Sequence, residues 1–259
     1  MEMNRSFTQI LSPFTQDPDA FRSLLRETGS VISGSTALWY FMRMPTAWTP
    51  GDMDIVTPYT SFDTITTHIL TLPGTTIVDE QFDDYRLLPG YYGRHRVHTP
   101  GGYIDIIQSH TPSPFTVISG YWSTHVMNAL SADACWSAYP SLTIKGIGVL
   151  NFTPNGGCYT SSFDKHRQRG FSIKTADDTP ISPALRHNCD TYSACPHRDR
   201  VWGDQYTMAF PLSHQSISHL MDSLPGTYTA GWRLGTHGCG NAKCMLDGEF
   251  CCRCFQWIE

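Results

Sequence analysis

The chain has 259 residues, of which 40% are hydrophobic and 16% are charged, and its formal net charge at pH 7 is −5. These values place it among globular proteins that hold one large domain or two small ones, and the negative charge argues against broad nonspecific binding to nucleic acid. No run of about 18 apolar residues occurs, and the first ten residues lack an apolar segment of signal-peptide length. We therefore expect no membrane partner and a cytoplasmic or nuclear location.

Predicted elements near the N-terminus lead to a Gly-Ser turn. A helix is predicted to begin at Asp17-Pro18-Asp19 and to continue through the apolar spacing of residues 20–25. A short apolar run, Val31-Ile32, then breaks at Ser33-Gly34-Ser35, and a helix-like segment follows from Thr36 to Met44. The pattern indicates a short strand, a tight turn and a helix.

Two carboxylates follow this turn on a predicted strand. Asp52 and Asp54 alternate with the apolar residues Met53, Ile55 and Val56. Side chains two residues apart on a strand point to the same face, so the two carboxylates would lie close together and repel each other unless a cation lies between them. Mg²⁺ prefers oxygen ligands of this kind. The alternative is an ordinary turn after Pro50-Gly51, with both aspartates simply solvated.

A third acid lies in a later strand. Residues 61–72 predict a helix that Ser61 caps, and a β-branched strand is expected over 75–78. Strands over 91–98 and 102–108 would form a hairpin through the turn at Thr99-Pro100-Gly101, which would bring Arg94, His95, Arg96 or His98 near the acids. Asp105 lies alone among the apolar residues of the second strand, and burying it is costly unless it is paired or binds a metal.

Beyond residue 110 the signals are weaker. Residues 115–118 fit a short helix or a strand, and the aromatic and β-branched start of residues 121–130 favours a strand. Residues 159–170 predict a helix ending at Gly170, in which Lys165 and Arg169 share a face. An ordinary solvated basic face is the alternative interpretation of this helix.

The C-terminal region is rich in cysteine. We place a boundary near residue 170, between a core of residues 1–170 and a Cys/His-rich region of residues 171–259 that is expected to bind structural Zn²⁺. Seven of the nine cysteines follow residue 188, and zinc prefers four Cys or His ligands in two close pairs. The alternative is a set of buried free thiols. Candidate zinc ligands are Cys189, Cys195, His197, Cys239, Cys244 and Cys252.

The order of these signals resembles the nucleotidyltransferase fold of the DNA polymerase β superfamily. The shared features are a Gly-Ser turn, a helix, Asp-x-Asp on a strand and a third Asp on a later strand, within roughly residues 28–110. The resemblance implies an α/β (α+β) fold with a small mixed β-sheet flanked by helices. It also implies that Gly34 and Ser35 contact nucleotide phosphates, and that Asp52, Asp54 and Asp105 bind two Mg²⁺ ions. Lys165 and Arg169 would neutralise the triphosphate of the nucleotide.

Five further segments, among them ISGSTAL and PGDMDIVTP, resemble a large expanded group of proteins from mushroom-forming fungi, a resemblance that implies no particular activity. The expected function is therefore a metal-dependent nucleotidyltransferase that moves a nucleoside monophosphate from a nucleoside triphosphate to an acceptor hydroxyl. The acceptor stays open among RNA, protein and a small molecule. The alternative is a catalytically inactive binding protein on the same fold, with a zinc-stabilised tail.

Overall fold

The computed structural model describes residues 7–42, 48–82, 90–151, 160–174, 193–195, 198–212 and 230–234. The α-helices of this part of the chain are α1 (Phe7–Leu11), α2 (Pro18–Thr28), α3 (Gly34–Phe41), α4 (Phe62–Leu70), α5 (Phe115–Ser119), α6 (Pro140–Thr143) and α7 (Thr160–Gln168). Two short 3₁₀ helices cover Tyr59–Ser61 and Thr124–Val126. The strands are β1 (Val31–Ser33), β2 (Asp52–Thr57), β3 (Thr76–Phe82), β4 (Tyr91–Thr99), β5 (Gly102–Ser109), β6 (Asn128–Leu130), β7 (Ala134–Ser137), β8 (Ile147–Val149), β9 (Ser172–Lys174), β10 (Arg200–Val201), β11 (Met208–Pro211) and β12 (Gly231–Trp232).

An eight-stranded mixed sheet organises the described residues, in the order β11-β7-β6-β1-β2-β5-β4-β3. Neighbouring strands are antiparallel except for β2 and β5, which are parallel. Two smaller pairs, β8 with β9 and β10 with β12, lie outside this sheet. The prediction of a mixed α/β protein is confirmed, and the sheet is larger than expected because β6, β7 and β11 extend it beyond β1.

Both faces of the sheet are buried by apolar side chains, because successive residues of a strand point to opposite faces. Ile32, Ile55 and Ile106 pack with α1, α2 and α4 in one core cluster. Val31, Val56 and Ile107, their neighbours in the chain, are members of a second cluster that also contains α5. Asp54 and Asp105 alternate with the residues of the first cluster, so they lie on the face of the second one.

Local sequence explains the helix bounds. Asp17 caps α2, since its Oδ1 accepts a hydrogen bond from the Ala20 amide at 3.0 Å, and Gly29 ends the helix in the left-handed region with φ 64°. The helix predicted to begin at Asp17 is therefore confirmed. α4 also forms as expected, but the Ser61 side chain does not cap it, because a 3₁₀ turn leads directly into the helix.

Residues 121–130 were expected to form one strand, and this prediction is wrong for most of the segment. The chain forms a 3₁₀ helix over Thr124–Val126, and only Asn128–Leu130 is a strand. The Thr124 hydroxyl accepts a hydrogen bond from the Val149 amide at 3.0 Å, and the Ser123 hydroxyl donates to the Val149 carbonyl at 3.0 Å. These side chains bond the backbone of a neighbouring segment and so favour a turn over a strand.

Described residues from position 193 onward contribute to the eight-stranded sheet and to the second core cluster. Strand β11 pairs with β7 in the eight-stranded sheet, and Trp202 and Trp232 are buried in the second core cluster. The predicted boundary near residue 170 stays a prediction. Among the described residues, no helix combines the length and the apolar character that crossing a bilayer requires.

Candidate active site

Strand register places the three predicted acids side by side. β2 and β5 are parallel neighbours in which Asp54 lies directly opposite Asp105 and Asp52 opposite Tyr103. On the other side of β2, Ser33 at the end of β1 lies opposite Asp54. Asp52 and Asp54 are half-buried, and Asp105 is 5% exposed. The three carboxylates therefore lie on one face of the sheet, next to the turn between β1 and α3.

The Gly-Ser turn is fixed directly onto β2. Gly34 has φ 60°, and a Cβ atom at this position would lie 1.9 Å from Oδ2 of Asp54, so only glycine fits. The Ser35 hydroxyl donates to Oδ1 of Asp52 at 3.2 Å, and the Thr36 hydroxyl donates to the Asp52 carbonyl at 2.8 Å. The structure thus brings together the four predicted residues of the turn and the Asp-x-Asp pair.

The start of α3 is left without its usual side-chain cap. Ser33 occupies the N-cap position, but its hydroxyl donates to the Asn128 carbonyl at 3.1 Å and makes no capping bond. The N-terminal end of a helix carries amide groups and a partial positive charge that suit an anion. This end of α3 lies against Asp52 and Asp54 through the contacts of Gly34, Ser35 and Thr36 described above.

Two arginines of β4 approach Asp105. Arg94 lies 3.5 Å from its Oδ1 and Arg96 lies 3.7 Å from its Oδ2, and Arg94 also pairs with Asp79 at 2.6 Å. The expected hairpin of β4 and β5 is confirmed, and it brings Arg94 and Arg96 to the acids. Oδ1 of Asp105 is buried and accepts no hydrogen bond from the described residues. A buried carboxylate oxygen that accepts no hydrogen bond can instead bind a cation.

Crowding of like charges changes the pKa of the central acid. Burial among protein atoms, together with the carboxylates of Asp52 and Asp105, raises the pKa of Asp54 to about 8. Burial also raises the pKa of Asp105, although Arg94 and Arg96 oppose this effect. A carboxylate with so high a pKa is held next to other carboxylates at an energetic cost, a feature that is common in functional sites.

Two further cations act on the acids: Lys165, in α7, and Arg169, directly after it. The positive charge of Lys165 partly offsets the raised pKa of Asp54. Burial lowers the pKa of Arg169, and the negative charge of Asp52 opposes this lowering. The Arg169 guanidinium lies over the Trp48 ring at 4.0 Å from its centroid. Its Nη1 atom is buried and donates no hydrogen bond within the described residues. The helix predicted over 159–170 is confirmed as Thr160–Gln168, and Gly170 follows it with φ 91°.

A complete metal centre is not assembled by the described residues. No three His, Cys, Asp or Glu side chains within them are arranged to hold a metal ion together. Asp105 instead lies between two arginines. Of the proposed zinc ligands only Cys195 lies in the described part of the chain, where it is 1% exposed. The others lie outside it, so the zinc site stays a prediction: Cys189, His197, Cys239, Cys244 and Cys252.

Several neighbours of the site were missed by sequence reasoning. Thr36 follows the Gly-Ser pair directly, and its place in the first turn of a helix is a signal that was available. Trp48 and Tyr121 carry no such signal, because tertiary packing alone brings them near; the Tyr121 side chain hydrogen-bonds with Ser33 and interacts with Asp54. The contact between two buried histidines, described below, likewise has no signal in the sequence.

Comparisons of this chain with family models, with curated proteins and with solved structures find no match. The interpretation of the site therefore depends on its own geometry and on the resemblance of its sequence.

Proposed function

We propose that the chain is a metal-dependent nucleotidyltransferase that transfers a nucleoside monophosphate from a nucleoside triphosphate to an acceptor hydroxyl. One observation carries the proposal: among the described residues, the site holds one buried acceptor atom and one buried donor atom that make no hydrogen bond, even though the Asp105 carboxylate is ion-paired with Arg94 and Arg96. Oδ1 of Asp105 is a buried acceptor without a donor, and Nη1 of Arg169 is a buried donor without an acceptor. A cation would satisfy the first and an anion such as a phosphate the second. A magnesium–triphosphate complex supplies both.

The carboxylates of the site suit Mg²⁺, which in proteins usually keeps several of its water ligands and binds one or two carboxylates. Asp52 and Asp54 would hold the ion, and Asp105 would join them when it exchanges its arginine partners for the metal. Bound Mg²⁺ would supply charge stabilisation for the attacking and leaving oxygens of an in-line displacement. Two ions, as the resemblance implies, would require all three acids.

The remaining steps belong to the chain itself. Gly34 lets the backbone approach a phosphate closely, and the uncapped end of α3 with the Ser35 hydroxyl would bind its oxygens. Lys165 and Arg169 would neutralise the charge that develops on the departing pyrophosphate. Asp105 would accept the proton of the acceptor hydroxyl. RNA, a protein side chain and a small molecule all remain candidate acceptors.

A second candidate is a catalytically inactive binding protein with the same site. The ion pairs of Asp105 with Arg94 and Arg96 favour it, because they neutralise the third acid without a metal. In such a protein the site would be a stable internal charge network. The test below separates the two candidates.

Thermal unfolding of the purified protein with each of the four nucleoside triphosphates, with and without Mg²⁺, tests the proposal. A ligand at about 100 times its dissociation constant stabilises a fold by roughly 2.7 kcal/mol, which raises the melting temperature measurably. We expect a Mg²⁺-dependent shift that the double substitution Asp52→Asn with Asp54→Asn abolishes. Asp63→Asn, which changes an exposed carboxylate in the first turn of α4, is the matched control and should keep the shift.

A shift that survives the double substitution contradicts the assignment of the metal site. A shift without release of pyrophosphate, across RNA, protein and small-molecule acceptors, favours the inactive binding protein. Pyrophosphate release that depends on both acids supports the enzyme.

A further inference from the structure

A pair of buried histidines connects α7 to the body of the protein. His125, in the 3₁₀ helix after β5 and α5, is 0% exposed, and His166, in α7, is 5% exposed. Nε2 of His125 lies 3.0 Å from Nδ1 of His166. Aromatic rings surround them, with Phe171 4.6 Å from the His125 ring and Trp122 5.5 Å from the His166 ring. Two polar rings inside aromatic packing require a complete set of hydrogen bonds.

Hydrogen-bond chemistry fixes the direction of this chain of contacts. The Ser123 hydroxyl lies 3.0 Å from the Val149 carbonyl, which can only accept, so the hydroxyl donates there. Nδ1 of His125 lies 2.8 Å from the Ser123 hydroxyl oxygen. Because the only proton of that hydroxyl is already donated to Val149, Nδ1 of His125 must be the donor to Ser123. In a neutral ring Nε2 of His125 is consequently an acceptor, and Nδ1 of His166 donates to it. Burial lowers the pKa of both histidines and keeps both rings neutral. The charge of Arg169 adds to this effect on both rings, His166 adds to it for His125, and Lys165 adds to it for His166.

The fit around these bonds is tight at one further position. A Cβ atom on Gly148, in β8, would lie 2.4 Å from Nδ1 of His125 and 2.8 Å from the Ser123 hydroxyl oxygen. Gly148 therefore leaves room for the Ser123–His125 contact. The chain of bonds thus extends from β8 through the 3₁₀ helix into α7.

His166 is placed where it can set the rotation of α7. At 100° per residue, Lys165 and Arg169 lie about 100° and 60° to the same side of His166, so they share one face of the helix. Burial of apolar surface is nondirectional, whereas a hydrogen bond between two ring nitrogens has a preferred distance and angle and so restricts the rotation of the helix about its axis. The face that this angle directs toward the acids is the one whose charges act on Asp52 and Asp54.

We propose that Ser123, His125 and His166 form a directed, neutral hydrogen-bond chain that positions α7 so that Lys165 and Arg169 face the triphosphate site. His125 and His166 are positioning residues, and the inference about the triphosphate rests on the proposed function. The orientation of α7 itself does not depend on that function, so the two can be tested separately.

The first test uses the wild-type protein. Long-range ¹H–¹⁵N correlation spectra at pH 7.5 should show both rings neutral, with the proton on Nδ1 and an unprotonated Nε2 in His125 and His166. A proton on Nε2 of His125 would reverse the chain and overturn the proposal.

The second test removes the bonds without removing volume. His166→Phe keeps a ring but loses the bond, and Gly148→Ala inserts a methyl group between Ser123 and His125. Both should increase amide hydrogen exchange throughout α7 and weaken the binding of Mg²⁺–ATP by about tenfold, the value of one misplaced charge-assisted hydrogen bond. Phe163→Leu, which alters a ring packed on Trp122 but no bond of the chain, is the control and should leave both values near wild type.

Outcomes distinguish this proposal from the proposed function. If wild type binds no nucleoside triphosphate, the proposed function fails, while exchange in α7 still reports on the histidine chain. Wild-type protection of α7 in both variants, or an equal loss of protection in Phe163→Leu, overturns the proposal. If a variant does not fold, the nitrogen assignment in the wild-type protein remains decisive.

Discussion

Asp54 is the residue at which burial and function oppose each other most directly. Its carboxylate lies between those of Asp52 and Asp105, and Gly34 packs against its Oδ2 atom. Arg96 and Lys165 lower its pKa only in part, so it stays at about 8. The protein at neutral pH therefore holds this acid mostly protonated, ready to exchange the proton for a cation.

The raised pKa of Asp54 predicts how stability depends on pH in the absence of metal. Below about pH 3.9 the group is protonated in both states, and between about pH 4 and 8 the unfolded chain has lost a proton that the folded protein keeps. The free energy of unfolding therefore falls as pH rises through this window. Asp54→Asn removes the effect and should raise that free energy by about 2–4 kcal/mol at pH 8, a value reduced for partial contact with solvent.

Urea unfolding with a metal chelator at pH 4 and pH 8 measures this difference. Near pH 4 the wild-type protein and the Asn variant should unfold at similar urea concentrations. Equal stability of the two proteins at both pH values would show that the carboxylate is not strained. With saturating Mg²⁺ at pH 8 the order should reverse, because only the wild-type protein keeps the charge that binds the ion.

Residues of a functional site can be predicted from sequence when their spacing follows the period of a strand or helix. The two-residue spacing of Asp52 and Asp54 was enough to place these two on one face. The isolation of Asp105 among apolar residues marked it as a candidate, and the resemblance implied its place beside them. His125 and His166 are 41 positions apart, and nothing in either segment indicates that the rings meet. Their contact depends on how α7 packs against the 3₁₀ helix, which only tertiary structure specifies.

At the scale of elements, the turn from β1 into α3 does the most to shape the site. Its glycine has a backbone conformation that other residues rarely adopt, and no space exists for a side chain beside Asp54. Ser35 and Thr36 then bond β2 through a hydroxyl each. The turn, the first residues of the helix and the carboxylates are therefore one rigid unit.

Gly34→Ala should disrupt this unit. A methyl group would lie 1.9 Å from Oδ2 of Asp54 and would force a positive φ on alanine; we expect a loss of about 2–4 kcal/mol of stability together with loss of the Mg²⁺-dependent nucleotide shift. Gly51→Ala is the matched control, because nothing lies within 4 Å of a Cβ at Gly51, just before β2. Chemical denaturation of both variants measures the difference, and equal stabilities would contradict the described geometry.

α2 was predicted best, because its capping residue and its apolar spacing agree; α4 was predicted from its apolar spacing alone, since the expected Ser61 cap does not form. The strand predicted over residues 121–130 was mostly wrong, because composition does not reveal the hydrogen bonds of Ser123 and Thr124 to Val149 in β8. Such bonds depend on a segment more than 20 residues away. Composition alone could not have anticipated them.

Across the whole molecule, the described C-terminal residues complete the second core cluster. Trp202 and Trp232 pack there with Phe115 and Trp136 of the N-terminal part. The pairing of β11 with β7 joins residues more than 70 positions apart. The boundary near residue 170 was predicted from a change in composition, which does not report long-range strand pairing, and it stays a prediction.

A buried arginine connects these C-terminal residues to the core. Arg200 is 1% exposed; its Nη2 donates to the Ala138 carbonyl at 2.8 Å, its Nη1 to the Ser193 carbonyl at 3.1 Å, and its Nε to Asp204. The guanidinium also lies over the Tyr139 ring at 4.5 Å. Removing one member of such a buried network leaves the others without partners.

Arg200→Ala should therefore lower the free energy of unfolding by about 3–5 kcal/mol, the range for a buried ion pair that loses one partner. Arg233→Ala removes the arginine of a second Arg–Asp pair, with Asp199, whose side chains are about half exposed, and should cost less than about 1 kcal/mol. Calorimetry and fluorescence of the buried tryptophans would measure both variants. Because Arg200 joins residues 193–204 to the strand–helix junction at Ala138, its loss should lower the midpoint of one cooperative transition that both methods detect. A separate early transition confined to tryptophan fluorescence would instead show that the C-terminal residues unfold independently of the sheet, and the composition boundary near residue 170 would then mark a real division of the chain.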